Sequence, residues 1–222
     1  MQFSKKYSEL VQMKTINNYI NEKLKIGKNA KSQYNYFPKD RTELRKILEE
    51  RLKEDKNANL NDIDVSEITD MGLDNNNESL FEDLDPHNID VSQWDVSNVE
   101  DMSALFWGCE NFNCDLSEWD VRKVKNMFAL FKWCNNFKGT GLENWDVSSV
   151  ELMNDMFSQC INFNCDISKW DVSNVKTMSY MFYNCKKFDC DLDNWKVSNT
   201  VTTLFTFNCC SSLKNIPKWF ND

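Results

Sequence analysis

Two periods of apolar residues alternate along most of this chain. Val99, Met102, Leu105-Phe106 and Cys109 step by three or four, the stripe that predicts a short helix. Ser97 with Glu100 three residues later adds a capping-box signal; Ser148 and Glu151 repeat it, whereas Ser173 is followed by Lys176. Leu116, Trp119 and Val121 then shorten the step and end in alternation, which predicts a brief strand. The pair recurs. Trp stands at 94, 119, 145, 170, 195 and 219, at spacings of 25, 26, 25, 25 and 24. Each of the first four opens the same phrase, as in Trp94-Asp95-Val96-Ser97-Asn98-Val99 and Trp170-Asp171-Val172-Ser173-Asn174-Val175, and Trp195-Lys196-Val197-Ser198-Asn199 is a weakened copy. An apolar-Phe pair follows at Leu105-Phe106, Leu130-Phe131, Met156-Phe157 and Met181-Phe182. One such unit cannot bury its apolar face, whereas a stack of them can. One strand and one helix per unit predicts the α/β class: a leucine-rich-repeat-like right-handed solenoid of about six 25-residue units with an N-terminal helical cap.

Residues 1–59 read as a helical N-terminal extension and cap, and 60–222 as the repeat solenoid. Asp40 is placed to cap a helix whose stripe runs through Leu44, Ile47, Leu48, Arg51 and Leu52. A second helix is expected over 6–24, with a polar linker over 27–33. Ile63-Asp64-Val65-Ser66-Glu67-Ile68 is a degenerate first unit, 31 residues ahead of Trp94, with the surplus held in 72–79. The one added residue of a later unit falls in Lys138-Gly139-Thr140-Gly141, a turn-forming stretch. The segment 213–220 begins a new unit and reads as a C-terminal cap.

The repeated phrase W-D-V-S-N-V-x-x-M-x-x-M-F-x-x-C, at its 25-residue spacing, resembles the BspA-like leucine-rich-repeat family and its mycoplasma-type lipoprotein branch over roughly residues 36–219. The lead-in Tyr36-Phe37-Pro38-Lys39-Asp40 is also similar to that family. The resemblance implies a surface-type, protein-binding repeat array without catalytic residues. The chain departs from the family in its second cysteine column, where a polar residue is usual, and no apolar signal-peptide core follows Met1.

Composition narrows the function classes. Among 222 residues there are 26 Lys+Arg against 35 Asp+Glu, a net charge of -9, which argues against nucleic acid as partner. With 41% hydrophobic and 13% aromatic residues the chain is not of disordered composition. No apolar run approaches 18 residues, so no membrane insertion is expected, and the sequence as written reads as cytoplasmic. A single His, and the absence of a phosphate loop, nucleophile elbow or H-E-x-x-H, predict no enzyme and no cofactor.

Stacking turns each repeated residue into a column spaced by about 4.8 Å. Cys109, Cys134, Cys160, Cys185 and Cys210 form one column, Cys114, Cys165 and Cys190 another, and Cys209 stands apart. Buried reduced thiols are the favoured reading, with disulfides along a column and a zinc site as the competing ones. The five tryptophans from Trp94 to Trp195 read as a core stack rather than a carbohydrate platform. Asp95, Asp120, Asp146 and Asp171, and likewise Asp90, Asp115, Asp166 and Asp191, read as local backbone acceptors rather than calcium ligands. His87 aligns with Phe112, Phe137, Phe163 and Phe188 and reads as a substituted core or edge position.

The expected function is a non-catalytic scaffold that binds another protein, with a surface-adhesion or carbohydrate-binding module as the alternative. Candidate contacts are Trp107 and Trp133, which break the repeat, Glu100, Lys125, Glu151 and Lys176 on the expected helices, and Glu118, Asn144, Lys169 and Asn194 before each Trp.

Overall fold

A computed structural model describes residues 33–220. The chain divides into two compact units, Met1–Gln33 and Tyr34–Asp222, and the repeats all lie in the second. The helix expected over 6–24 lies outside the described residues.

Among the described residues one α-helix forms, α1, Arg41–Glu54. Asp40 caps it, its side chain accepting from the Glu43 N–H at 2.9 Å, and Glu43 reaches back to the Lys39 N–H at 3.0 Å. Leu44, Leu48 and Leu52, one stripe of the helix, are fully buried against the first coil.

Everything after α1 is built from turns stacked in register. Tyr36↔Ile63, Asn59↔Asp90 and the run Asp70↔Asp101, Asp101↔Asn126, Asn126↔Leu152, Leu152↔Thr177 and Thr177↔Thr202 are isolated parallel bridges. Only single residues pair, so among the described residues there is no strand and no sheet; the one further helical piece is the three-residue 3-10 turn Leu142–Asn144. The α/β leucine-rich-repeat-like right-handed solenoid expected from the sequence is therefore corrected. The three-residue step has another origin. The N–H groups of Leu105, Cys109 and Phe112 donate to the carbonyls of Met102, Phe106 and Cys109. Trp119 to Leu116 and Val124 to Val121 do the same where a strand was expected. Each apolar residue thus closes a turn upon one three back, which imitates helical spacing without a helix. Ser97 caps nothing; its N–H donates to Asp95.

Left-handed residues keep a helix from propagating. Ala104, Ala129, Asp155, Tyr180 and Phe205 have φ of 53, 53, 59, 60 and 56°, and Gly108, Trp133, Gln159, Asn184 and Cys209 repeat the reversal four residues on. For non-glycine residues this costs roughly 1–2 kcal/mol each. The return is that alternate N–H groups all face the next coil. Those of Met127, Ala129, Phe131 and Trp133 donate to the carbonyls of Leu152, Asn154, Met156 and Ser158 at 2.9, 3.0, 2.9 and 2.9 Å. The added residue of this region is absorbed where expected: Gly139 and Gly141 have φ of 90 and 94°, and a Cβ on Gly141 would lie 2.2 Å from the Ser117 nitrogen.

The core is a set of side-chain columns. Phe81, Phe106, Phe131, Phe157, Phe182 and Phe207 stack with centroids 5.5–5.7 Å apart. Trp119, Trp145, Trp170 and Trp195 are buried, and each indole N–H donates to the preceding coil, to Val91, Leu116, Leu142 and Ile167 carbonyls at 3.0, 3.1, 2.9 and 3.0 Å. A buried Trp so paired adds area without leaving an orphan donor.

Candidate functional site

Thiols are the most reactive groups in the chain, and all nine cysteines are free. Cys134, Cys160 and Cys185 are buried, and their thiols donate to the carbonyls of Phe106, Phe131 and Phe157 at 3.0, 2.8 and 2.9 Å; Cys210 does the same to Phe182 at 2.9 Å. Burial pushes the Cys109, Cys134, Cys160 and Cys185 thiols far up, and Cys210 to about 12. All five are held neutral, and all but Cys109 as hydrogen-bond donors, the state least suited to nucleophilic or metal chemistry. In the second column burial raises Cys114 and Cys190 to about 11 and Cys165 to about 12, with Asp90, Asp166 and Glu143 beside them adding to the rise. No group of three or more His, Cys, Asp or Glu among the described residues converges as a metal site.

The aspartates act on the backbone. Asp95, Asp120, Asp146 and Asp171 accept from the N–H two residues on at 3.1, 3.2, 3.1 and 3.0 Å. Asp90, Asp115, Asp166 and Asp191 do likewise at 3.0, 3.0, 3.1 and 2.9 Å. These bonds, with the Ser hydroxyls or the Arg122 guanidinium beside them, hold Asp166, Asp171 and Asp120 below the usual carboxylate range. His87 sits half-exposed at the first coil, its Nε2 3.6 Å from Asp85.

The candidate contact residues fall on two faces. On the bridge side, Lys125 Nζ lies 2.6 Å from Glu100, and Lys176 pairs with Glu151. The hydrogen bond from Lys125 holds Glu100 below its usual range. The alternation of sign down this column therefore pairs its members with one another. Glu118, Asn144, Lys169 and Asn194 form a second column, exposed in every unit.

Trp107 and Trp133 lie on the turn face, 38% and 45% exposed in adjacent coils. They are held differently. Trp133 occupies the left-handed position that Gly108 fills one coil earlier, and its N–H is tied to Ser158. Trp107 carries the Lys132 ammonium 5.6 Å from its ring centre, and Lys132 is paired with Asp155 at 2.8 Å. Two aromatics on this face were not singled out from the sequence. Tyr180 and Phe205 are 38% and 43% exposed with ring centres 5.1 Å apart. Both fill the left-handed position that is Ala104 and Ala129 in earlier coils. Aligning that one position across units, where small residues give way to aromatics, would have found them.

Residues 42–140 and again 129–219 match a family described as Mycoplasma protein of unknown function, DUF285. No curated protein and no solved structure matches the chain.

Proposed function

The chain belongs to the DUF285 family of Mycoplasma proteins, whose function is unknown, and for this member we propose a non-catalytic repeat scaffold that binds another protein through its turn face. The observation that carries this reading is the set of exposed aromatics on that face: Trp107, Trp133, Tyr180 and Phe205. Their backbones are fixed by turn bonds, and those of Trp133 and Tyr180 by inter-coil bonds as well, so presenting the side chains to a partner orders little. Tryptophan and tyrosine are the side chains on which binding energy most often concentrates. The neutral buried thiols and the aspartates committed to turn amides leave the reading non-catalytic. The likeness of the repeated phrase to BspA-like proteins supports binding at a surface, without the leucine-rich-repeat architecture.

Proteins captured on the immobilised wild-type chain are to be compared with those captured by a Trp107→Ala/Trp133→Ala variant and by a Glu118→Ala/Lys169→Ala control. The scaffold reading expects specific capture that the tryptophan pair abolishes and the control leaves intact. Capture unchanged by the tryptophan pair would overturn the assignment to the turn face. Saccharide binding lost with the same pair would favour the alternative, an adhesion or carbohydrate module.

A further inference from the structure

The turn face carries a notch at Gly108. In the left-handed column Asp83, Gly108, Trp133, Gln159, Asn184 and Cys209, position 108 alone lacks a side chain. A Cβ placed there would meet no atom within 4 Å. The notch belongs to a cavity of about 360 Å³, lined by Glu82, Asp83 and Asp85 of the first coil and by Trp107 of the second, with buried Phe81 and Pro86. That volume lies within the range of ligand pockets. The three carboxylates are exposed, and among the described residues no Lys or Arg pairs with them. Glu82 accepts from the Ser79 N–H at 3.4 Å, Asp85 has His87 Nε2 at 3.6 Å, and Lys56 donates to the Leu84 carbonyl instead. Trp107 is the wall shared with the following coil. On that side its ring carries the Lys132 ammonium, 5.6 Å from the ring centre and 2.8 Å from Asp155. The cavity lies on its other side, where register puts Glu82 one unit before Trp107 as it puts Lys132 one unit after.

We infer that the protein bound by the turn face docks through a basic segment, one of whose arginine or lysine side chains enters the notch at Gly108, against Trp107 and among Glu82, Asp83 and Asp85. This rests on the reading of the turn face as a protein-binding surface and names the chemistry of its partner. Charge complementarity selects the occupant. Three carboxylates without a Lys or Arg partner, on a chain of net charge -9, repel an acidic insert and are left unpaired by an apolar one. The indole face adds cation–π attraction, as it does for Lys132 on its other side. The turn face of a second copy would bring the same carboxylates and be repelled.

The test is an NMR titration of the full chain, read on the Trp107 indole N–H, which is assigned by its loss in Trp107→Phe. The probe is a blocked glycine peptide with one central arginine. It should move that resonance saturably at millimolar concentration, and the same peptide with citrulline, which keeps the shape without the charge, should not. Gly108→Gln fills the notch with the side chain that the same column carries at Gln159, and should weaken binding about tenfold. Glu82→Gln/Asp83→Asn/Asp85→Asn should do the same. The buried Trp145 and Trp170 indole resonances should stay in place in both variants, which reports an intact stack. The inference fails if the arginine peptide gives no saturable shift, if citrulline shifts the resonance equally, or if either variant binds undiminished. An equal shift with tetramethylammonium or calcium chloride would make this a site for free cations and overturn the partner assignment. Protein capture on the carboxylate variant separates this inference from the reading beneath it. Capture that needs the tryptophan pair and is lost with the carboxylates is the expected result. Capture that needs the tryptophan pair but survives without the carboxylates leaves the turn face standing and overturns the basic partner. Capture indifferent to the tryptophan pair overturns both.

Discussion

At the N-terminal end of the stack, α1 lays Leu44, Leu48 and Leu52 over the first coil, and Arg41, Arg45, Arg51 and Lys56 donate to five of its backbone carbonyls. At the last described coil, Trp219 and Phe220 cover one half, and the amides of Thr203, Phe205, Phe207 and Cys209 have no acceptor among the described residues. The comparison separates two requirements of a repeat stack. Apolar surface must be covered at both ends, and it largely is. Backbone groups must also be paired, and among the described residues the first coil meets this with side-chain donors where interior coils use the amides of a neighbour.

The largest effect should come from breaking the α1 cap. Leu48→Ala removes the middle of the α1 stripe and should cost about 2–5 kcal/mol in chemical denaturation. Leu204→Ala, exposed in the last described coil, should stay within about 0.5 kcal/mol. Equal losses would erase the distinction between the ends.

Next come the indole donors. Trp145→Phe removes the indole donor from the Leu116 carbonyl, which keeps the Trp119 N–H, and should cost about 0.5–1.5 kcal/mol, whereas Trp219→Phe, half-buried in the last described coil, should cost less. A larger loss at Trp219 would mean that the tail, not the interior, holds the stack.

Alkaline titration grades the same axis through the thiols. Their folded pKa values are raised, so the stabilisation they carry is intact below about pH 9, near the ordinary thiol value, and is lost as pH rises towards the folded values. Stability should fall by about 1.4 kcal/mol per pH unit for each such thiol. Cys160→Ala should lessen that slope by one thiol. Alkylation of the native protein should reach exposed Cys209 first and Cys134, Cys160 and Cys185 last. Modification of the interior column ahead of Cys209 would contradict the burial order. The smallest effect belongs to the cap's polar half: Arg45→Met keeps the aliphatic stem but uncovers the Leu80 carbonyl, for about 1 kcal/mol in the same denaturation measurement.

Register was legible in the sequence because identical residues at a fixed spacing can only stack. The Trp, Phe and Cys columns, the Asp side chains on backbone amides and the α1 cap at Asp40 all follow from that or from local chemistry. Conformation within the unit was not legible. Val96, Val99, Met102, Leu105, Phe106 and Cys109 carry the spacing of a helix, and a chain of three-residue turns puts the same positions inward. Turns and helix part company at the left-handed residues. At the ten turn-row positions those are Ala, Asp, Tyr, Phe, Trp, Gln, Asn and Cys, with Gly only at 108, so the usual marker of positive φ is missing from the row. The pairing of Glu100 with Lys125 was hidden for a different reason. Its partner lies 25 residues away, and only the stacking of neighbouring coils makes them adjacent.

The one-way hydrogen bonds make the turn face of the stack electrically polar, while the bridge side runs the other way, with the N–H groups of Lys125, Glu151 and Lys176 donating back to Glu100, Lys125 and Glu151. Alternate N–H groups from coil to coil point towards the C-terminal end and the carbonyls that meet them point back, so the peptide dipoles of these rows add along the stack axis. Among the described residues the partial positive end of these rows faces residue 220 and the negative end faces α1, the reverse along the chain of an α-helix. Four cationic side chains already sit on the negative pole. On a protein of net charge -9, each turn row thus aims a line of backbone N–H dipoles, as from Met127 to Trp133, at the coil that follows it.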